Sequence, residues 1–210
     1  MKAILTFSLI LMSTLVFSQM SRVEHIDTNN SEFLSSLSDD TGTPDDISQN
    51  LSDVRDGNKY ETVEIGGHVW MTENLNFNTE GSYSYNDFEG NSKKFGRLYT
   101  WEVAQNVCPD GWHLPSEEEW DKLSDTFGGS ENAGTKFISA TNDNIMKSLF
   151  GGWRSNNGNY YNVADKGYFW TSTQHSDGFA CYRYVESTES FIFSAYHKKE
   201  MAFSVRCIKN

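Results

Sequence analysis

Cysteine, proline and basic side chains are all scarce in this 210-residue chain, which has 3 Cys, 3 Pro and 17 Lys and Arg against 29 Asp and Glu. The formal net charge of −12 argues against a nucleic-acid partner, because phosphate binding depends on clustered Lys and Arg. Few prolines, 16 glycines and 14% aromatic residues indicate a globular, aromatic-packed chain, neither collagen-like nor wholly disordered.

Long apolar runs are also missing, except at the N-terminus. Residues 3–17 are mainly apolar and follow Lys2, which is the pattern of a secretory signal peptide. With Val16 and Ser18 at the −3 and −1 positions, cleavage after Ser18 makes residues 1–18 the signal peptide; an uncleaved anchor helix is the alternative. No cysteine near that point could carry lipid, and no second run could span a bilayer. We therefore expect export, as a secreted, cell-surface or periplasmic protein without a membrane span after cleavage.

The next segment, residues 19–57, has the composition of an acidic, disordered spacer. Residues 20–56 contain nine acidic side chains and only two arginines, and Asp, Ser, Asn and Thr are the dominant residue types. Such a segment buries too little apolar surface to offset the entropy lost on ordering.

Residues 58–210 carry the pattern of one α+β domain, and its strands give the clearest signal. Apolar and polar residues alternate in residues 60–65 and 68–71, on either side of Gly66 and Gly67, which predicts a hairpin. Four further strands, rich in aromatic and β-branched residues, are predicted at residues 168–172, 179–185, 190–196 and 201–208.

Two helices are predicted ahead of those four strands. Ser116 and Glu119 form a capping-box pattern that starts one helix, and Gly128 and Gly129 end it. A weaker apolar stripe predicts the other over residues 99–106. The domain is therefore expected to pack helices on a mainly antiparallel sheet, with long irregular loops over residues 128–167.

The three cysteines of an exported chain predict one bridge and one free thiol, with three pairings available. We favour Cys108 with Cys207, because this bridge would tie the end of the 99–106 helix to the final strand across a loop of about 100 residues. Cys181 lies in an apolar strand with Arg183 as its nearest cation, so it is predicted to be an inert core thiol.

No catalytic set, metal site or cofactor motif is expected. The five histidines lack paired metal-ligand spacing, and there is no Cys-x-x-Cys, Gly-x-Ser-x-Gly or phosphate loop. The carboxylates of Glu117, Glu118 and Glu119 fit the positive end of a helix better than an acid/base pair. The polar run at residues 142–144 has one carboxylate, too few for a calcium loop.

One group of side chains is a candidate ligand surface, because flat rings with polar edges are typical of sugar-binding and peptide-binding sites. Trp170 is expected in the core instead. The candidate residues are Trp153, Arg154, Tyr160, Tyr161, Tyr182 and Tyr184.

Several segments, taken in order, closely resemble the FISUMP family, the Fibrobacter succinogenes major paralogous domain. They are WMTENLN (70–76), GRLYTW (96–101), CPDGWHLPS (108–116) with EW (119–120), GGWR (151–154), FWTS (169–172) and SVRCI (204–208). The resemblance covers nearly all of residues 58–210. It implies a C-type lectin-like α+β fold, in the branch shared with formylglycine-generating sulfatase-modifying enzymes, with the termini close together.

The resemblance also implies the Cys108 to Cys207 bridge of lectin-like domains. It does not imply calcium-dependent sugar binding, since the Glu-Pro-Asn, Gln-Pro-Asp and Trp-Asn-Asp signatures of true C-type lectins are absent. The oxidase branch uses a close cysteine pair, whereas Cys181 would stand alone here. We expect an exported, non-catalytic binding or adhesion module that recognises a glycan or protein at the bacterial cell surface. An enzyme, either a diverged thiol oxidase or a hydrolase, and a ligand-free structural surface protein are the alternatives.

Overall fold

A computed structural model describes residues 50–142 and 149–210, which form a mixed, sheet-rich α/β fold. The predicted signal peptide, the spacer up to residue 49 and two residues of the polar 142–144 run lie outside the described residues. The helices are α1 (Glu89–Phe95), α2 (Trp101–Ala104), α3 (Glu117–Thr126) and α4 (Ser130–Asn142). None of these described helices is long and apolar enough to cross a membrane.

Thirteen strands form the two sheets of the described residues. They are β1 (Asn50–Ser52), β2 (Lys59–Ile65), β3 (His68–Met71), β4 (Ser82–Tyr83), β5 (Leu98–Thr100), β6 (Trp112–His113), β7 (Trp153–Arg154), β8 (Tyr160–Tyr161), β9 (Lys166–Ser176), β10 (Phe179–Glu186), β11 (Phe193–Lys198), β12 (Ala202–Ser204) and β13 (Ile208–Lys209).

The smaller sheet has the strand order β1-β2-β3-β13-β6 and contains the predicted hairpin. β2 and β3 pair antiparallel with Val63 opposite Trp70, and Gly66 and Gly67 turn the chain at φ of 63° and 76°. These positive φ values are why glycine is needed at the turn. The predicted hairpin is thus present.

The folded region begins earlier than the sequence indicates. β1, at residues 50–52, pairs antiparallel with β2, placing Leu51 opposite Tyr60, within the segment predicted to be a spacer. Asp53 is fully buried there, and its two carboxylate oxygens accept hydrogen bonds from the Arg55 guanidinium at 2.8 and 2.6 Å. Backbone pairing with β2 and the ion pair of Asp53 with Arg55 hold this edge strand, although its sequence has little apolar surface.

The larger sheet follows the order β11-β10-β9-β12-β5-β4, with β7 and β8 attached through β12. Predicted strands 168–172 and 179–185 are the centres of β9 and β10, whereas the predicted strand 190–196 starts only at Phe193. Predicted strand 201–208 is two strands, β12 in the larger sheet and β13 in the smaller one. The chain therefore passes from the larger sheet to the smaller one between β12 and β13. The buried Arg206 lies in this crossing, and its guanidinium donates to the Thr72 carbonyl at 2.9 Å.

Helix α3 follows its prediction closely. The Ser116 hydroxyl accepts from the Glu119 amide at 3.3 Å, and the Glu119 carboxylate accepts from the Ser116 amide at 2.8 Å, which completes the capping box. The predicted 99–106 helix is shortened to α2, because Tyr99 belongs to β5, where it pairs with Phe203. Strand pairing in the larger sheet outweighs the weak helical stripe.

The predicted loop over residues 128–167 is also corrected, since it contains α4 and the paired strands β7 and β8. A Cβ on Gly134 would lie 2.4 Å from the carbonyl oxygen of Phe191, so glycine lets α4 approach the segment before β11. Its apolar residues, Ala133, Phe137, Ile138 and Ala140, follow helical spacing, but only two of them are large, and the Gly, Ser, Thr and Asn around them favour a loop.

Aromatic residues fill the core between the elements. Trp70, Trp120 and Trp170 are fully buried, as expected for Trp170, and Trp120 packs edge-on against Trp70 with ring centroids 5.1 Å apart. A disulfide joins Cys108 to Cys207, the pairing favoured from the sequence. It links the stretch after α2 to the crossing between β12 and β13.

Candidate functional site

A row of partly exposed rings covers one face of β9, β10 and β11. Tyr168, Tyr184 and Phe193 lie directly opposite one another on these three strands, so their side chains project from the same face. The Tyr184 ring stacks on Phe193 at 4.7 Å and on Tyr168 at 5.8 Å between ring centroids. Tyr182, two residues before Tyr184, adds a fourth ring 6.0 Å from Tyr168.

The β7–β8 pair extends this row past β9. Trp153 and Tyr161 are cross-strand partners whose rings stack at 4.8 Å, and Trp153 lies 6.2 Å from the Tyr168 ring. The Asn162 side-chain oxygen accepts from the Trp153 indole N–H at 3.3 Å and from the Tyr168 hydroxyl at 3.4 Å. We call the set Trp153, Tyr161, Tyr168, Tyr182, Tyr184 and Phe193 the aromatic surface.

A buried layer supports the aromatic surface. The Phe203 ring is 1% exposed and lies 4.7 Å from the Tyr182 ring, 5.5 Å from Tyr168 and 6.1 Å from Trp153. Beneath it Trp170 stacks at 4.2 Å from Phe203 and donates its indole N–H to the Tyr99 carbonyl at 2.8 Å. The surface rings therefore rest on a fixed apolar floor, which limits the entropy that they would lose on binding.

The phenol groups of Tyr168 and Tyr182 have raised pKa values. Burial, with help from the Glu186 carboxylate, raises the pKa of Tyr168 to about 12, and burial raises the pKa of Tyr182 to about 12 as well. The hydroxyls of Tyr182 and Tyr184 make no hydrogen bond within the described part of the chain. They are free to donate to, or accept from, a bound molecule.

Two of the six candidate residues lie elsewhere. Arg154 and Tyr160 alternate with Trp153 and Tyr161 along β7 and β8, so they project from the opposite face. There the Arg154 guanidinium lies 3.8 Å above the Tyr83 ring, and the Tyr160 hydroxyl donates to Asp87 at 2.6 Å. These contacts anchor the β7–β8 pair to the region around β4 rather than forming part of the aromatic surface.

Tyr168 and Phe193 are the members that sequence reasoning missed. Both belong to pairs of aromatic residues spaced two apart, Tyr168 with Trp170 and Phe191 with Phe193, which is the spacing that puts two rings on one face of a strand. That signal was present, but it does not tell which of the two faces is covered.

The sheet face opposite the aromatic surface carries the free cysteine and a set of ion pairs with α3. Cys181 is 8% exposed, and burial together with the Glu117 carboxylate raises the pKa of its thiol to about 11. Arg183 pairs with Glu117 at 3.2 Å and Asp121 at 2.9 Å, and the Ser194 hydroxyl donates to Glu117 at 2.7 Å. This environment favours the protonated thiol over the thiolate.

The neighbouring carboxylates of α3 are also engaged in the fold. Besides capping the helix, Glu119 accepts from His113 at 3.0 Å, and Glu118 lies at the helix N-terminus, where its own backbone amide and Ser116 lower its carboxyl pKa. Among residues 50–142 and 149–210, no group of three His, Cys, Asp or Glu side chains could hold a metal ion.

The sequence model of the Fibrobacter succinogenes major domain matches residues 63–209. The chain belongs to this family. No curated protein and no solved structure matches it significantly.

The segments that carry the resemblance to the Fibrobacter succinogenes major domain mainly build its core. Trp70, Trp101, Trp120, Trp170 and Arg206 come from five of them and are all buried. Of the aromatic surface, Trp153 alone belongs to these segments. Membership of the family therefore accounts for the packing of this chain, whereas the exposed rings on β8, β10 and β11 lie outside the quoted segments.

Proposed function

We propose that this chain is an exported, non-catalytic binding module and that the aromatic surface holds its ligand, a glycan at the bacterial cell surface. The observation that carries the proposal is the continuous row of partly exposed rings across β8, β7, β9, β10 and β11, fixed on a buried floor. A monomeric protein rarely leaves such an apolar patch exposed without a use for it.

The chemistry of the surface suits a chain of sugar rings. Tyr182 and Tyr184 are partly exposed and each combines an aromatic ring with a hydroxyl, while Tyr161, at the end of the row, is 40% exposed. Carbohydrates present apolar C–H faces beside many hydroxyls, so they can use both kinds of contact. A row of rings, unlike a closed pocket, accommodates an extended polymer.

A C-type lectin-like fold is part of the proposal. It is supported by the first and last strands, β1 and β13, which share the smaller sheet, and by the bridge from Cys108 to Cys207 close to the last strand. Lectin-like domains are expected to bring their termini together in this way. The fold resemblance does not itself assign a ligand, since one scaffold serves many functions.

An enzymatic role finds less support in the site chemistry. A thiol oxidase needs a reactive thiolate, whereas Cys181 is buried with a raised pKa, and the other two cysteines are bridged. A hydrolase would need a free pair of carboxylates, but Glu117 and Glu119 are engaged by Arg183 and His113. Both side chains serve the packing and capping of α3.

One observation favours a protein ligand as the second candidate. β11 has a paired neighbour on one side only among the described residues, so its outer backbone groups could add an extended peptide beside Phe193. Such a partner would still contact the aromatic surface.

The test is binding of the purified protein to an array of bacterial, plant and host glycans, with calcium and with chelator. Tyr184→Ala should weaken binding about tenfold, which corresponds to loss of a central aromatic contact of roughly 1.4 kcal/mol. Tyr196→Ala is the matched control, because Tyr196 is an exposed tyrosine of β11 on the opposite face. Its affinity should stay within about twofold of wild type.

Three outcomes would count against the proposal. Equal affinity of the Tyr184→Ala and wild-type proteins would remove the aromatic surface from the site. Loss of binding in chelator would point to a metal site. Absence of glycan binding in both conditions would shift the search to protein partners or to a ligand-free structural role.

A further inference from the structure

A second candidate site lies away from the aromatic surface, in a polar cavity of about 290 Å³. Its walls come from the start of β2, the segment after β3 and helix α1. The lining residues are Asn58, Lys59, Tyr60, Glu73, Asn74, Asn76, Ser92, Lys93 and Gly96. The volume is at the lower end of small-ligand pockets, which fits a single small polar molecule.

Buried contacts hold the walls of this cavity in place. The Tyr60 hydroxyl accepts from the Asn76 amide at 3.0 Å, and the Asn74 side chain donates to the Phe95 carbonyl at 3.0 Å. Gly96 closes one wall at φ 73°, where a Cβ would lie 2.6 Å from the Cβ of Asn74. The cavity is therefore preformed, and a ligand would not need to order its walls.

Its lining is unusually rich in groups that recognise hydroxyls. Asn58, Asn76 and Ser92 all line this cavity. The Ser92 hydroxyl donates to Glu89 and the Asn58 side-chain amide donates to Asp56, but the side-chain oxygens of all three residues can accept from a ligand hydroxyl. The side-chain oxygen of Asn76 is buried and accepts no hydrogen bond from the described residues. Such an unsatisfied acceptor calls for a partner, and a ligand hydroxyl could supply one.

The charge of the lining differs from that of the whole protein. Lys59 and Lys93 are exposed at the cavity and form no ion pair within the described ranges. Glu73 is the single carboxylate of the lining. Burial lowers the pKa of the Arg206 guanidinium, and the negative charge of Glu73 partly offsets this effect. In a chain of net charge −12, these two lysines make the cavity locally suited to an anion.

We propose that this cavity binds an acidic sugar, with the uronate carboxylate held by Lys59 and Lys93 and the ring hydroxyls held by Asn58, Asn76 and Ser92. A neutral sugar would leave the lysines without a counter-charge, and a hydroxyl-poor anion such as phosphate would leave most of the acceptor oxygens of Asn58, Asn76 and Ser92 without a donor. No lining residue belongs to the aromatic surface, so this inference stands whether or not that surface binds a glycan.

The experiment is isothermal titration of the purified protein at low ionic strength and pH 7. The probes are D-glucuronate, D-galacturonate and digalacturonate, with D-glucose and inorganic phosphate as the neutral and the hydroxyl-poor comparisons. We expect saturable binding of at least one uronate, at least about tenfold weaker binding of glucose and of phosphate, and weakening by added salt.

Lysine variants inside and outside the cavity distinguish binding in the cavity from a general effect of positive charge. Lys59→Gln with Lys93→Gln should weaken uronate binding by about tenfold or more, because both charged contacts are lost. Lys94→Gln is the control, since Lys94 is the next residue of α1 but packs over the Phe95 ring and does not line the cavity. All three lysines are exposed, so folding should be unchanged and is checked by thermal unfolding.

The proposal is overturned if wild-type protein binds none of the three uronates at millimolar concentration, or if the double variant binds them as tightly as Lys94→Gln does. Binding of phosphate with the same affinity as the uronates would identify a general anion site and would also overturn it. Tyr184→Ala should leave uronate affinity unchanged; a parallel loss would place the uronate on the aromatic surface and overturn the cavity assignment.

Discussion

Reduction of the Cys108 to Cys207 bridge should remove a large part of the stability of this domain. The two cysteines are 99 residues apart in sequence, and a loop of about 100 residues contributes about 4.7 kcal/mol in the chain-entropy treatment. Domains of this kind have total stabilities of roughly 5–15 kcal/mol, so the loss is a large fraction of the whole. In a domain of about 160 residues it corresponds to a fall in melting temperature of about 10 to 20 °C.

The bridge acts on the unfolded state, which makes reduction a cleaner perturbation than substitution. Cys207 is fully buried between β12 and β13, so two thiols left in place preserve most of the native packing. The measurement is guanidinium unfolding followed by the fluorescence of the buried tryptophans, with and without reductant. A Cys181→Ala background prevents reshuffling with the third thiol, and Cys181→Ala without reductant is the reference.

We expect the free energy of unfolding to fall by about 4 to 5 kcal/mol and the denaturant dependence to steepen, because the reduced unfolded chain expands. A fall of less than about 1 kcal/mol, with reduction verified by thiol counting, would refute the reasoning. It would mean that the unfolded chain is already constrained in this region, or that the bridge strains the native fold.

Three further predictions concern titration, reactivity and the core. Burial opposes ionisation of Glu119, but hydrogen bonds from Ser116 and His113 outweigh this effect and lower the carboxyl pKa. Ionised Glu119 therefore stabilises the folded protein above about pH 4.3, and this stabilisation is lost as the pH falls through the folded-state pKa. Glu119→Gln keeps the helix cap, and it should reduce the fall in the free energy of unfolding at acid pH. An unchanged fall would contradict a stabilising role of ionised Glu119. Burial raises the pKa of the Cys181 thiol to about 11, so at pH 8 only about 0.1% is thiolate, and iodoacetamide should label it roughly 100-fold more slowly than in unfolded protein. Mass spectrometry follows the labelling, and equal rates would show an accessible thiolate. Asn74→Ala removes one acceptor of the buried Arg206 guanidinium, the side-chain oxygen at 2.8 Å, and leaves the Thr72 carbonyl in place; it should cost about 2 to 4 kcal/mol in denaturant unfolding. A loss below about 0.5 kcal/mol would show that the remaining partners satisfy this arginine.

Local signals in the sequence predicted local structure well. The hairpin around Gly66 and Gly67 and the capping box of Ser116 and Glu119 depend on residues a few positions apart, so their chemistry is visible without the fold. The strands of β9 and β10 were equally clear from their aromatic and β-branched composition. The two segments hardest to predict, β1 and α4, consist mostly of polar or small residues, and each is stabilised by neighbouring elements that pair with it or pack against it.

The candidate site was only partly predictable for the same reason. The sequence pointed to Trp153, Tyr161, Tyr182 and Tyr184, but not to Tyr168 and Phe193, and it placed Arg154 and Tyr160 in the same set. Strand register decides these memberships, because a residue opposite Tyr184 shares its face while the next residue along the strand does not. The cavity beside Lys59 and Lys93 was invisible in the sequence, since its walls come from three separate segments.

By itself the sequence determined the type of most elements, the favoured disulfide and the family resemblance, because turns, caps, cysteine count and ordered motifs are properties of neighbouring or few residues. Only the tertiary structure decided which rings share a surface, where the folded region begins and which lysines meet at a cavity. Those features depend on pairing between strands distant in the chain, where a shift of one residue would reverse every exposed face.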